Sequence, residues 1–424
     1  MLTITYLRTN REEAIERLKK RGNLDPTILI DNTVSLDDSR KKIITEVEQL
    51  KSELNLLSKE IGQLVQSGQL AEAHTKKEQT SVIKTNIPSL EEQLKELELQ
   101  ITNNLYEIPN TPHITIKHGF GADDNENVHQ EGILPEMAED ALCHWDLASK
   151  YNIIDFELGA KVTGAGFPFY KGKGAKLQRA LINYFLDKAS AEGYDEVQTP
   201  IMVNRDSGYG TGQLPDKEGQ MYYVPEDDLY LIPTAEVPIT NMYRDVILKE
   251  SDFPIKNCGY TPCFRREAGS YGKDVRGLNR LHQFDKVEIV QIQHPEKSYE
   301  ALEQMKNYVA NLLRALGLPF RILKLCGGDM GFASAWTYDF ETYSAAQKRW
   351  LEVSSVSNFE TFQANRLKLR FKNETGKTQF VHTLNGSALA LPRIVATLLE
   401  NNQTIEGIKI PDVLIPYTGF DMIN

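Results

Sequence analysis

The sequence predicts a mixed α and β protein in two parts: an N-terminal antiparallel helical hairpin, residues 1–105, and a larger body of short strands and helices, residues 106–424. Two observations predict this division. An apolar seam at coiled-coil spacing occupies the first part. Composition then changes abruptly at Tyr106, beyond which aromatics, Gly and Pro return and strand-like runs alternate with helical ones. A chain of 424 residues, at roughly 150 per domain, is consistent with two or three domains. Its 48 basic and 59 acidic residues leave a net charge of -11, so any nucleic acid must be met by local patches rather than by the field of the whole molecule.

The hairpin comes first. From Asp37 to Leu105 there is no aromatic residue and a single proline, Pro88. Ile43, Val47, Leu50, Leu54, Leu57, Ile61 and Leu64 recur at alternating steps of four and three, the seam of a coiled coil. Val65–Gln69 interrupts it, and Ile83, Ile87, Leu90, Leu94, Leu97 and Ile101 resume the alternation. A short link makes the two helices antiparallel. At about 1.5 Å per residue they form a finger of roughly 45 Å that is expected to project from the body. Pro88 should kink the second helix or mark a restart. Nine basic against twelve acidic residues leave Asp37–Leu105 at net -3. Only local stripes such as Lys41, Lys42, Lys76 and Lys77 could meet phosphates. The helix pattern alone leaves dimerisation and RNA contact both open.

In the body, Gly174–Gly193 reads as an amphipathic helix and Tyr194–Pro200 as a strand ending at proline. Tyr260–Glu267 and His282–Gln291 read as strands joined by a Gly-rich loop, Ala268–Leu281. Strand alternation puts Arg265 and Glu267 on one face, and His282, Phe284, Lys286 and Glu288 on one face. A last helix is expected over Leu389–Asn401, with Arg393 in its first turns. The alternation of strands and helices reads as an α/β-type body. No GxxxxGK[ST] is present, and Gly164-Ala165-Gly166 lacks the rest of a dinucleotide fingerprint. A pair of arginines with Phe284 between them could instead hold phosphates and stack a purine. The four cysteines, Cys143, Cys258, Cys263 and Cys326, form no CxxC pair and are expected to be reduced. The start shows no basic-then-apolar leader, and no apolar run could span a bilayer. A cytoplasmic protein without a membrane partner is expected.

The string Pro262-Cys263-Phe264-Arg265-Arg266-Glu267-Ala268-Gly269-Ser270, continuing through Gly277–Glu288, closely resembles motif 2 of class II aminoacyl-tRNA synthetases in the seryl-tRNA synthetase version. The hairpin resembles that family's tRNA-binding arm, Gly174–Pro200 its motif 1, and Asn385–Arg393 its motif 3. Thr234-Ala235-Glu236 and Glu352-Val353-Ser354-Ser355 match further family segments in order. Ala388 and Pro392 stand where many members have glycine; neither replaces a reacting group. The resemblance implies an α+β fold: an antiparallel-sheet catalytic domain preceded by the coiled-coil arm. It also implies activation of L-serine with ATP to seryl-adenylate and transfer to the 3′ end of tRNA(Ser), and of tRNA(Sec) where present.

The residue types suit that chemistry. A serine carboxylate must attack the α-phosphate of ATP, which calls for cations that hold two anions together and absorb charge on the leaving pyrophosphate. By resemblance, Arg265 bridges the α-phosphate and the carboxylate, Glu267 accepts from the adenine amino group, Phe284 stacks on the ring and Arg393 holds the far phosphate. Arg266, Leu281, Val353 and Ser354 complete the ATP-binding set. Glu352 and Ser355 supply oxygen ligands for Mg²⁺, which favours one or two protein oxygens plus phosphates and waters. The same resemblance implies that Glu288 and Ser387 receive the serine hydroxyl and that Thr234, Ala235 and Glu236 line the same site, with Thr234 and Glu236 helping to hold the ammonium. A site built to bond a hydroxyl rejects the analogue lacking it by about 10⁴ or more. Lys273, Arg276 and Arg280 in the motif 2 loop could meet the acceptor end of tRNA. The motif 1 segment implies a homodimer. A carrier-protein-loading paralogue should lack the finger, and a degenerate scaffold protein should have lost Arg265, Glu267 or Arg393; the finger and all three residues are present.

Overall fold

The structure, a computed structural model, describes residues 1–137, 140–216, 218–267 and 276–424. It divides into two compact units, one of Leu2–Lys19 and Leu24–Pro109, the other of Met1, Lys20–Asn23 and Asn110–Asn424.

In the smaller unit two short helices, Ile4–Thr9 and Arg11–Lys19, precede the hairpin. Its helices are α1 (Thr27–Gln66) and α2 (Leu70–Glu107), parted by Gly68 at φ +82°. Every residue of the seam is buried or half-buried, whereas Leu56, Val65, Val82 and Leu99, off the seam, are exposed. Leu57, Ile83 and Ile87 form a small core with Leu50 and Leu54 against it. Across the pair Lys51 meets Glu91 at 2.7 Å, and Lys76 meets Glu60. The first helix begins ten residues before the seam's compositional onset at Asp37, because Ile30 and Thr33 already bury a face. Helix α2 runs through Pro88 without a restart. Asp37 is buried and ringed by Arg8 (2.7 Å), Arg40 (2.8 Å) and Lys41 (3.0 Å). Burial opposes its ionisation, but these three cations hold it down at about 2.

The larger unit is built on a sheet, not on alternating α/β crossovers. Among the described residues eight strands compose it: β1 (Glu126–Glu131), β2 (Asp195–Glu196), β3 (Ile255–Phe264), β4 (Gln283–Gln293), β5 (Phe320–Lys324), β6 (Trp336–Ser344), β7 (Arg349–Asn358) and β8 (His382–Ala390). Their order is β1-β5-β6-β7-β8-β4-β3-β2. All pairs are antiparallel except β2 with β3. Loops, not crossover helices, join β5 to β6 and β6 to β7, and that makes those neighbours antiparallel. Helices α3 (His144–Lys150), α4 (Gly172–Ala191), α5 (Ser298–Ala315) and α6 (Leu391–Asn401) accompany the sheet. Leu181 and Phe185 of α4, Met305 and Val309 of α5 and Leu398 of α6 share one core with Ile289, Val353 and Val356 of the strands.

Several expectations change. The strand expected over Tyr194–Pro200 keeps only Asp195–Glu196 in the ladder. Val197 N–H donates one more bond, to Cys258 O at 2.8 Å, and Pro200 has no donor to continue. The last helix starts at Leu391, not Leu389, because Ala390 still pairs with Lys286 and Pro392 suits a helix's first turn. Strand β3 stops at Phe264, so Arg265 and Glu267 lie beyond it, and Glu267 sits at φ +49°. Strand alternation therefore does not govern that pair. The four cysteines are free thiols. Arg21, in the larger unit, is half-buried with its guanidinium donating to the carbonyls of Asn110 (2.8 Å), Met330 (3.0 Å), Gly331 (3.3 Å) and Ser334 (2.6 Å). No helix of the described residues is long and apolar enough to cross a membrane.

Candidate active site

The site is assembled on the centre of the sheet, where β3, β4, β8 and β7 lie side by side. Glu288 of β4 stands directly opposite Ser387 of β8, so these two side chains are cross-strand neighbours at a separation of about 5 Å. Both are buried. One strand step away Lys286 reaches Glu288 at 2.6 Å and donates to Thr234 Oγ1 at 2.9 Å. Thr234 precedes the short helix Glu236–Asn241, and its hydroxyl accepts from the Glu236 N–H at 3.2 Å. Glu236 itself is buried, with Gln363 donating to its Oε1 at 2.6 Å. Burial, then the charge of Glu288, pushes Glu236 up to about 7. Burial also raises Glu288, while Lys286, Thr234 and the charge of Arg265 pull it back. Two buried carboxyl groups and the Lys286 ammonium are thus gathered at one place on the sheet.

Arg265 is adjacent. Its N–H donates to His282 O at 2.9 Å, its Nε points to Pro233 O at 3.4 Å, and its guanidinium lies 5.2 Å from the Phe284 ring centre. His282 bonds Arg265 O through Nδ1 at 3.0 Å and stacks on Phe167. A Cβ on Gly166, at φ +84°, would come within 2.4 Å of that imidazole. Gly166 belongs to this contact, not to a dinucleotide fingerprint. Arg266 is exposed and held through its N–H to Gln220 O at 2.8 Å. Glu267 meets Arg280 at 3.3 Å. Arg276 lies 4.5 Å above the Trp145 ring, whereas Lys273 falls outside the described residues.

Farther along the sheet, Arg393 enters from the first turn of α6. Its Nε donates to Asn279 O at 3.0 Å and its Nη1 to Glu352 O at 2.7 Å. Glu352 and Ser355 are three apart on β7 and would alternate onto opposite faces of a regular strand. A register shift opposite Phe340–Glu341 inserts one residue between them, and such a bulge restores a common face. Asp339 of β6, paired with Ser355, has a buried Oδ1 without a partner. Burial and the Glu352 charge push its carboxyl well above the usual range, against a hydrogen bond from Ser355. Not every expected residue presents its side chain. Leu281 and Val353 lie in the hydrophobic core, Ala235 packs with Ile239 and Val290, and Ser354 donates to Ser387 O at 2.6 Å. Any part these four play in binding ATP or serine runs through the main chain or through packing.

Residues 1–112 match the family described as Seryl-tRNA synthetase N-terminal domain, and 222–402 the tRNA synthetase class II core domain (G, H, P, S and T). The serine–tRNA ligase of Salinibacter ruber is 51% identical over 100% of this chain and 99% of its own length. The chain belongs to the seryl-tRNA synthetase family. Among solved structures, the seryl-tRNA synthetase of Pyrococcus horikoshii complexed with ATP is similar at a TM-score of 0.93 and 34% identity, covering 100% of this chain and 99% of that one. The cytoplasmic serine–tRNA ligase of Naegleria fowleri in complex with AMP follows at 0.88 and 28%, with the same coverage.

Three residues of the candidate site escaped the sequence reading: Lys286 as the ammonium beside Glu288, Gln363 as the support of Glu236, and Asp339 beside Glu352. Lys286 was legible as sharing a face with Glu288; the other two reach the site only through strand pairing and packing.

The raised Glu236 has a measurable consequence. With its ordinary value at 4.5 and its folded value at about 7, the native chain holds a proton that the unfolded chain has lost between those pH values, so stability falls as pH rises through the window. Glu236→Gln removes this dependence. The stability difference between wild type and Glu236→Gln, measured by urea unfolding at pH 5 and pH 8, is expected to shift against the wild type by on the order of 3 kcal/mol. Equal pH slopes for the two proteins would contradict the assignment.

Proposed function

We propose that the chain is a serine–tRNA ligase that makes seryl-adenylate from L-serine and ATP and transfers the seryl group to the 3′ end of tRNA(Ser). The observation that carries the reading is a buried polar cluster: Glu288 faces Ser387 across the sheet, with Lys286 and Thr234 bonded beside them and Arg265 close by. A serine ammonium is held by Thr234 and Glu236, while the serine hydroxyl lies between Glu288 and Ser387. Alanine would leave those buried groups unpaired, and threonine would need room for a methyl group.

In the first step a serine carboxylate oxygen bonds to the α-phosphorus and the bond from that phosphorus to the bridging oxygen breaks, releasing pyrophosphate. Arg265 holds both anions at the reacting distance, Phe284 and Glu267 receive the adenine, and Arg393 holds the outer phosphate. In the second step a terminal ribose hydroxyl of tRNA attacks the seryl carbonyl carbon, the bond from that carbon to the phosphate oxygen breaks, AMP departs, and the hydroxyl proton passes to the departing phosphate or to water. Mg²⁺ fits this chain: Glu352 and Ser355 share a face, Asp339 keeps an unpartnered carboxylate oxygen beside them, and a hard cation held there with ATP would offset phosphate charge. Residues 1–105 serve as the tRNA-binding arm and 106–424 as the catalytic part, in a cytoplasmic homodimer whose interface includes the Lys173–Pro200 segment.

ATP–pyrophosphate exchange tests the reading. With ATP and Mg²⁺, serine is expected to drive exchange and alanine, threonine and cysteine to fail by about 10³-fold or more. Exchange with cysteine or threonine but not serine would overturn the substrate.

A further inference from the structure

Behind the site a fully buried histidine has no place in the reaction just described. His144, the first residue of α3, donates through both its backbone N–H (3.0 Å) and its Nδ1 (2.7 Å) to Oε1 of Glu400 in α6. Neither side chain is exposed to solvent. The other ring nitrogen accepts the Leu278 N–H at 2.8 Å. A backbone N–H can only donate, so Nε2 carries a lone pair and the ring's proton resides on Nδ1. Gly277 lies against the same nitrogen: a Cβ there would come within 2.3 Å of Nε2, and its φ is +66°. Arg276 on Trp145 continues the contact. Three successive residues at the end of the motif 2 loop thus rest on His144–Trp145.

The contact continues to the proposed nucleotide ligands. Asn279, buried, donates from its amide to Gln347 at 2.9 Å, and Gln347 donates to Glu400 at 3.0 Å and to Ser344 at 2.9 Å. The carbonyl of Asn279 receives Arg393 Nε, and Arg393 donates on to Glu352 O. Burial works against the Glu400 anion, but the bonds from His144 and Ser344 keep it below the ordinary carboxylate value.

We propose that His144, seated on Glu400, is a positioning residue that clamps the Gly277–Asn279 end of the motif 2 loop and thereby aims Arg393 at ATP. The inference rests on the reading of Arg393 as a nucleotide contact. Removing the acceptor strands the buried Leu278 N–H without a partner and frees the Asn279 carbonyl that orients Arg393.

The test compares His144→Phe, which keeps an aromatic ring and loses the acceptor, with His144→Gln, whose Oε1 can accept from Leu278, and with Gln347→Ala. In ATP–pyrophosphate exchange His144→Phe is expected to raise the KM for ATP about tenfold, with the KM for serine within about twofold; His144→Gln recovers most of the loss. Gln347→Ala shifts the same constant in the same direction and carries the test if His144→Phe fails to fold. An unchanged KM for ATP in these variants overturns the proposal. So does an equal loss for ATP and serine that glutamine does not rescue, which would make His144 a support of the fold alone. Amide hydrogen exchange at Leu278, measured without substrate, is expected to accelerate in His144→Phe. Because this readout needs no activity, unchanged protection counts against the clamp itself, while a wild type that fails serine-dependent exchange counts against the proposed function.

Discussion

Arg265→Ala is expected to lower serine-dependent ATP–pyrophosphate exchange by about 10²–10³-fold, the scale for removing one preorganised charge donor at a reacting centre. The guanidinium has little structural duty to lose. It is half-buried, makes one long bond to Pro233 O at 3.4 Å, and rests on Phe284. Melting temperature should therefore move by no more than about 2 °C, since substitutions away from core packing usually cost little stability. Its charge also works against the upward push that burial gives the Glu288 carboxyl, so the loss should appear in both the turnover number and the KM for serine. Near-full exchange activity in Arg265→Ala would show that the carboxylate and the α-phosphate meet elsewhere on the sheet.

Shortening the hairpin separates the two half-reactions. The Lys51–Glu91 pair at 2.7 Å is a rung across which the helices can be joined, so deleting residues 52–90 and inserting a short Gly-Ser link leaves the Asp37 cluster with Arg8, Arg40 and Lys41 intact. The deleted part holds the Leu57–Ile83–Ile87 core and the exposed Lys77, and at about 1.5 Å per residue it removes on the order of 30 Å of reach. Serylation of tRNA(Ser) at physiological salt is expected to fall at least about 10²-fold, with exchange retained within about twofold, because contacts to A-form RNA are mainly to phosphate and shape. Of the four lysines that could form phosphate stripes, Lys41 and Lys76 are already paired with Asp37 and Glu60. The proposed RNA contact would therefore depend on the arm's surface as a whole more than on a basic run. Parallel loss of both activities would mean that the hairpin supports folding or dimerisation instead of binding RNA.

Periodicity and residue chemistry made much of this protein legible before any coordinates. The seam from Ile43 to Leu64 and from Ile83 to Ile101 is a local pattern whose helical period depends on neighbours three and four apart, so α1 and α2 follow from it directly. The break at Val65–Gln69 likewise becomes the turn at Gly68. Arg265, Glu288, Glu352 and Arg393 stood out because a two-anion reaction demands cations and oxygen ligands, and their order along the chain matched a family to which the chain does belong.

What only the tertiary structure decided depends on which strands pair and in what register. Strand–helix alternation does not say whether a strand returns beside its predecessor, so the antiparallel order β1-β5-β6-β7-β8-β4-β3-β2 was not visible in the local pattern. The register shift that brings Glu352 and Ser355 onto one face arises between β6 and β7. It inverts the side-chain alternation that spacing alone would assign. Asp339 joins that face through cross-strand pairing, Gln363 reaches Glu236 from 127 residues away, and His144 meets Leu278 across 134. Each is a buried polar group whose partner is set by long-range packing, because burial demands that some hydrogen bond be made but does not specify in the local sequence where its partner will come from.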